Sequence, residues 1–207
     1  MLIKYRWFRV GLPSDVHLLD LLHANQFHDE LSAGFSAIDV ADNSEPGSRF
    51  RFFWRRSVSV GTLDLRGEVG SAQVVSVEYA DFVVIKMGRR MLLRIENPGR
   101  VSARLIGFIE SMVGFGFTSK AIVFKHEQLE TMFNGVEGKR LIALKVSGAV
   151  VGRDLVARYE FVSKAGMVRE DISALKGLVC STEFALHEVS YRGLTGRISV
   201  SSNGTVG

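Results

Sequence analysis

Hydrophobic and polar residues along the chain follow the period of a β-strand more often than that of a helix. Most of the sequence either alternates apolar with polar residues or clusters β-branched and aromatic ones. The segments between them are mostly too short for parallel crossovers, which predicts antiparallel pairing. The pattern predicts strands at residues 2–10, 49–58, 61–68, 74–86, 91–96, 120–124, 140–150, 155–162, 178–191 and 197–201.

Two stretches have helical spacing instead. The first runs from Ser14, a good N-cap, to about Asn25. The second opens at Asn97-Pro98 and ends at Gly114. Residues 127–133 and 170–176 predict one or two short helices, residues 41–47 predict a loop, and residues 151–154 predict a hairpin turn. The expected fold is therefore α+β, a mainly antiparallel β-sheet system with two principal helices and one or two short ones. No linker tract interrupts the chain, so we expect a single domain over residues 1–207.

The strand at residues 49–58 is the most informative segment. Because side chains alternate between the two faces of a strand, its even positions place Phe50, Phe52 and Trp54 together. This aromatic face predicts packing into the core. The opposite face carries Arg49, Arg51, Phe53 and Arg55.

Charge is distributed unevenly along the chain. The formal net charge is +4 and the estimated pI is about 9.4. Residues 1–48 carry −4, residues 49–104 carry +6, and residues 105–207 carry +2. The middle segment is thus electropositive, and Lys86 is its only lysine among arginines. Arginine binds phosphate with a planar fork and stacks on flat rings.

Arginines with a phenylalanine between them suit phosphate contacts combined with base stacking. This pattern predicts an RNA or single-stranded DNA interface. For the strand arginines, the alternative to a ligand is a face that contacts only solvent. For Arg100 and Arg104 of the second predicted helix, the alternative is pairing with Glu96 and Glu110. The expected nucleic-acid-binding residues are Arg49, Arg51, Phe53, Arg55, Lys86, Arg89, Arg90, Arg94, Arg100 and Arg104, with Arg192 and Arg197 as weaker candidates.

Histidines and carboxylates are most concentrated between residues 15 and 30. No metal-ligand spacing such as HExxH or a cysteine pair occurs, and we expect neither a metal nor a cofactor. Surface histidines on an acidic helix are the simpler interpretation. The functional alternative is metal-independent acid–base chemistry by His17 or His23.

Other features exclude several protein classes. No GxSxG, Rossmann or kinase pattern is present. Cys180 is the only cysteine, which rules out an intramolecular disulfide and favours a reducing, cytoplasmic location. No apolar run is long enough to span a bilayer, and the start of the chain does not resemble a signal peptide.

Three functions follow in order of preference. The first is a nucleic-acid-binding domain that acts as a subunit of a larger assembly. The second is a protein-interaction or scaffold subunit without nucleic-acid contact, since acidic and basic segments of one chain suit complementary neighbours. The third is a metal-independent nuclease that uses the N-terminal histidines.

Overall fold

A computed structural model describes residues 3–28, 30–38, 47–63, 65–88, 90–123, 128, 136 and 138–207. Strands account for 58% of these residues, which makes the protein mainly β with antiparallel sheet, and two α-helices accompany the strands. The chain divides into two compact units, one formed by Phe8–Lys120 and the other by Met1–Trp7 with Ala121–Gly207. Strand β1, Tyr5–Gly11, contributes residues to both units.

The unit of residues 8–120 contains a sheet in the order β2-β3-β4-β5-β1. β2 pairs with β3, β3 with β4 and β4 with β5, each antiparallel. Its elements are α1 Leu18–Ala24, β2 Ala33–Ala37, β3 Ser48–Leu63, β4 Val69–Met87, β5 Arg90–Glu96, α2 Val101–Val113 and β6 Thr118–Ala121, the last residue of which belongs to the other unit.

The core of this unit lies on the aromatic face of β3. Phe50, Phe52 and Trp54 are buried there, as their alternation predicts. The ring of Phe108 on α2 lies 5.3 Å from that of Phe52, and the ring of His23 on α1 lies 5.2 Å from that of Phe50. Both helices therefore cover this face of the sheet.

The other unit orders its strands β1-β11-β10-β9-β7-β8. Leu141, Leu144, Val146 and Ala185 form its buried core, and Cys180 packs against them half-buried. The strands are β7 Gly138–Val150, β8 Val156–Met167, β9 Ser181–Tyr191, β10 Leu194–Ser201 and β11 Thr205–Val206. Two short 3-10 helices, Arg169–Asp171 and Ser173–Leu175, occupy the segment predicted to be helical at residues 170–176.

Several predicted boundaries were wrong for local reasons. Helix α1 begins at Leu18 rather than near Ser14, because Val16 N–H donates to the Pro13 carbonyl in a turn. Helix α2 begins at Val101, since Asn97 and Gly99 have positive φ angles of 45° and 28°, outside the helical region.

The predicted strand at residues 49–58 and the first three residues of the one predicted at 61–68 form a single strand, whereas residues 65–68 lie in the turn and loop that follow. β3 continues through Gly61 to Leu63 and pairs with β4 without a register break, from Ser48 opposite Val84 to Leu63 opposite Val69. Residues 59–61 remain extended, so the break predicted between residues 58 and 61 does not occur. The loop predicted at residues 41–47 falls outside the described residues except for Gly47, and the helix predicted at 127–133 does so except for Gln128.

Candidate functional site

The arginine face of β3 lies on the side of the sheet opposite the helices. Arg49, Arg51, Phe53 and Arg55 occupy it and are all partly exposed. The register places Asp81 of β4 directly across from Arg51, and Tyr79 across from Phe53. Residues opposite each other in an antiparallel pair share a face, so a carboxylate and an aromatic ring join the arginine row.

Carboxylates from neighbouring strands compensate two of these arginines. Arg51 donates two hydrogen bonds to Asp81, with Nε–Oδ1 and Nη2–Oδ2 distances of 2.6 and 2.9 Å. Arg49 donates to Glu96 at 2.9 Å and lies 3.9 Å from Asp81. The hydrogen bonding that Arg51 donates to the Asp81 carboxylate raises the pKa of Arg51, against the opposing effect of desolvation. Arg49 and Arg51 thus present less net positive charge than their side chains alone suggest.

Aromatic rings form a row beside these arginines. Phe53 stacks on Phe27 with ring centroids 5.1 Å apart and lies 6.4 Å from Tyr79. The guanidinium of Arg51 lies 4.2 Å from the centroid of the Tyr79 ring, and that of Arg55 lies 6.0 Å from the Phe27 ring. Tyr79 is 58% exposed. We call these five residues the basic–aromatic patch.

The other predicted cations of the β4–β5 region are spread along the sheet. Lys86 and Arg90 are exposed at the far end of the β4–β5 hairpin. Lys86 lies nine positions along β4 from Val77, the partner of Arg55, which corresponds to about 30 Å of strand. Arg94 is half-buried, 3.9 Å from Glu96. Arg89 lies outside the described residues.

The helix arginines lie on the other face of the sheet. Arg104 of α2 stacks over Trp54 with its guanidinium 5.6 Å from the ring centroid, and Trp54 belongs to the core face. Arg100 is exposed at the N-cap of α2. α2 covers the face opposite the basic–aromatic patch, so its arginines do not extend that patch into a groove.

Arg192 and Arg197 belong to the other unit. Arg192 and Gly193 form a two-residue turn between β9 and β10, with φ angles of 51° and 77°. Positive φ at both central positions is what a type I′ hairpin turn requires. Arg197 lies opposite Glu188, with Nε 4.0 Å from the carboxylate. The turn therefore gives Gly193 a structural explanation.

The N-terminal histidines do not converge. His17 is the N-cap of α1 and His23 lies in its last turn. A separation of six residues turns a helix by about 240°, which points the two side chains in different directions. His23 packs against Phe50, and the described residues contain no cluster of histidine, cysteine and carboxylate groups suited to a metal.

Beyond the patch, β3 and β4 continue together as a two-stranded ribbon. We define the arm as Arg56–Leu63 of β3 with Val69–Val77 of β4; eight residue pairs join it, from Arg56 opposite Ser76 to Leu63 opposite Val69. All its residues are exposed. Its exposed valines, with fractions between 39% and 82%, are Val58, Val60, Val69, Val74, Val75 and Val77.

Among the described residues, no strand pairs with the outer edges of the arm. β2 pairs with β3 only from Phe50 to Trp54, and β5 pairs with β4 only from Phe82 to Met87. Arg56 is the only charged residue of the arm, and its Nη1 donates to Glu78 at 2.9 Å. The arm is thus a ribbon with one charged residue and exposed valines, and neither of its edges has a strand partner among the described residues.

Sequence reasoning missed this arm. The available signal was the absence of any charged residue from residues 57–63 and 69–77, two segments in which serine and valine recur. Such a run is equally typical of a buried strand. An exposed ribbon is distinguished from a buried strand only by the described structure, in which no layer covers the arm.

The other unit contains an open groove near the 3-10 helices. Its lining includes basic and acidic side chains, among them Lys139, Arg140, Glu170 and Asp171, around the buried His187. Arg140 also forms an ion pair with Glu188. The mixture of charges selects no ligand class.

No protein-family model matches this chain, and a search of curated proteins also finds no match. In the described part of the chain, neither helix combines the length and apolar character that crossing a bilayer demands.

Proposed function

We propose that this protein is an interaction subunit that binds another polypeptide through the arm. The observation that supports this is the exposure of six valines on a ribbon whose edges have no strand partner among the described residues. An isolated two-stranded hairpin is only marginally stable in water, and contiguous exposed apolar surface marks interaction sites.

Magnitudes favour a contact that uses the edges as well as the side chains. Full burial of a valine contributes about 1.5–3 kcal/mol, so burying the remaining half of six valines contributes roughly 5–9 kcal/mol. Association costs about 4–15 kcal/mol in lost freedom. Burial of the valine side chains alone therefore leaves little net free energy of binding. Backbone hydrogen bonds along an open edge would supply both additional affinity and register.

Site-specific photo-cross-linking tests this proposal. A benzophenone amino acid at Val75 should form adducts with another polypeptide in cells, because Val75 is 58% exposed in the middle of the arm. The matched control carries the same group at Val162, which is 74% exposed on β8 of the other unit. Adducts at Val75 and not at Val162 are expected. Absence of adducts at Val75, or equal adducts at both positions, would overturn the proposal.

A second candidate is binding of single-stranded RNA or DNA at the basic–aromatic patch. It is supported by the exposed ring of Tyr79 between Arg51 and Phe53, since exposed rings beside arginines stack bases. Asp81 and Glu96 reduce the positive charge available for phosphate, which is why this candidate ranks second. Protein subunits and nucleic acid remain compatible partners of one chain.

Filter binding over a salt series tests the second candidate. Substituting Arg51 and Arg55 by alanine should reduce affinity for a single-stranded oligonucleotide about tenfold or more and lower the salt dependence. The control replaces Arg153 and Arg158 of the other unit, which removes the same charge. No binding at low salt, or equal loss in both double variants, would remove this candidate.

A further inference from the structure

We infer that the polypeptide bound by the arm is a second copy of this chain, whose β4 edge pairs antiparallel with the β4 edge of the first. This inference rests on the proposed function and adds the identity of the partner. The edge concerned runs from Val69 to Asp81, because β5 pairs with β4 only from Phe82 onward and no other described strand lies against this segment.

Over its segment Val69–Val77, the edge of β4 has none of the features that usually prevent pairing with another chain. Exposed edge strands are normally protected by lysine, proline, a bulge or a short length. From Val69 to Val77 there is no charged residue and no proline, and the register with β3 is unbroken. An open edge of thirteen residues corresponds to about 43 Å of strand. A partner strand is therefore a better fit than solvent.

The sequence of the edge is compatible with a two-fold axis. A two-fold axis perpendicular to the sheet places a residue opposite its own copy and keeps equivalent faces together. If the axis passes beside Val74 or beside Val75, that valine lies opposite its own copy in the partner chain. In both registers Glu78 lies opposite a small uncharged residue, Gly70 or Ala72. No like charges meet along the paired edges, so the surface is self-complementary.

Pairing would also correct the marginal stability of the arm. Two arms joined along β4 give four strands in the order β3-β4-β4-β3, and three or more strands with an apolar face are what independent stability requires. Val58, Val60 and Val74 share one face of each arm, so the joined sheet carries six valines on that face.

The chemistry of the arm favours a polypeptide partner over a nucleic acid. A nucleic acid, by comparison, would need cations that the arm lacks, since Arg56 is its only charged residue and is bonded to Glu78.

Light scattering coupled to size exclusion tests this inference on the full chain. The wild-type protein should have twice the mass of one chain at micromolar concentration. The double substitution Val75→Lys with Val77→Lys should give a monomer, since four lysines would then meet across the axis. The control, Val156→Lys with Val162→Lys on β8, adds the same charge at somewhat more exposed positions and should remain dimeric. Unchanged far-ultraviolet circular dichroism in both variants shows that they are folded.

Cysteine cross-linking gives an independent readout of register. In a Cys180→Ser background, Val74→Cys or Val75→Cys should form an intermolecular disulfide on mild oxidation, because an axis near these residues brings the copies within disulfide range. Val162→Cys in the same background should not. A wild-type monomer, a dimer that persists in the arm variant, or equal cross-linking at position 162 would overturn the inference.

The experiments distinguish a failure of the second-copy inference from a failure of the proposed interaction function. Photo-adducts at Val75 with a different polypeptide, together with a monomeric wild-type chain, would support the interaction subunit and reject the second copy. A monomeric chain without adducts at Val75 would reject both.

Discussion

Opposing carboxylates determine what the arginines of β3 can do. Arg51 and Asp81 are opposite each other on adjacent strands, although 30 residues separate them in sequence. Because the pKa of Arg51 is raised, its charge and the pair are fully present at neutral pH and would be lost only as the pH rises beyond the ordinary range of arginine. The pair is a constant feature of the folded protein around neutrality.

Asp81→Asn should lower the free energy of unfolding by about 1–2 kcal/mol at neutral pH. The substitution removes the two-pronged hydrogen bonding of Arg51 and the weaker contact with Arg49, in a site where Asp81 is only 16% exposed. Urea denaturation measures the change. The control is Glu160→Gln, whose ion pair with Lys145 is well exposed and should contribute less than about 0.5 kcal/mol. Equal effects from both substitutions would contradict this account.

At the scale of the element, β3 changes character along its length. Its first half has one aromatic face in the core and one arginine face toward solvent, while its second half is exposed on both faces. Alternation within the strand is enough to separate Phe52 from Phe53. It does not reveal where the helices that cover the core face stop.

Phe52→Ala should destabilise the protein by about 3–5 kcal/mol, since Phe52 is fully buried and contacts the rings of Phe35, Trp54 and Phe108. Phe53→Ala, one residue further on, should cost about 1–2 kcal/mol, because that ring is only partly covered by Phe27 and Tyr79. Denaturant midpoints at constant m-value provide the comparison. A larger loss from Phe53→Ala would mean that the two faces are reversed.

At the scale of the whole molecule, the property to be tested is whether the two compact units unfold cooperatively. The chain has two compact units, each with its own buried residues, and the continuous strand β1 contributes to both. The sequence-based prediction of one domain over residues 1–207 stays a prediction, and it concerns whether these units unfold together.

Leu144→Ala tests that prediction. Leu144 is fully buried in the unit of residues 121–207, and its truncation should cost about 2–5 kcal/mol. If the chain unfolds as one domain, Leu144→Ala and Phe52→Ala should each lower the midpoint of the same single calorimetric transition. Two transitions, each shifted by only one of the substitutions, would establish two independently unfolding domains.

The sequence by itself determined features that depend on neighbouring residues. Alternation assigned Phe50, Phe52 and Trp54 to the core, and turn residues located the hairpin at residues 151–154. The end of α2 at Gly114 was also predicted, because glycine readily adopts the positive φ of 73° found there. These features follow from side-chain direction and backbone sterics over a few residues.

Only the tertiary structure decided whether the predicted binding residues lie together. It placed Asp81 and Glu96 against Arg51 and Arg49 across long sequence distances, and it separated Lys86 from Arg55 along β4. It also left the valines of the arm without a covering layer among the described residues. Charge compensation and burial are properties of non-local contacts, and a one-dimensional pattern of residues does not contain them.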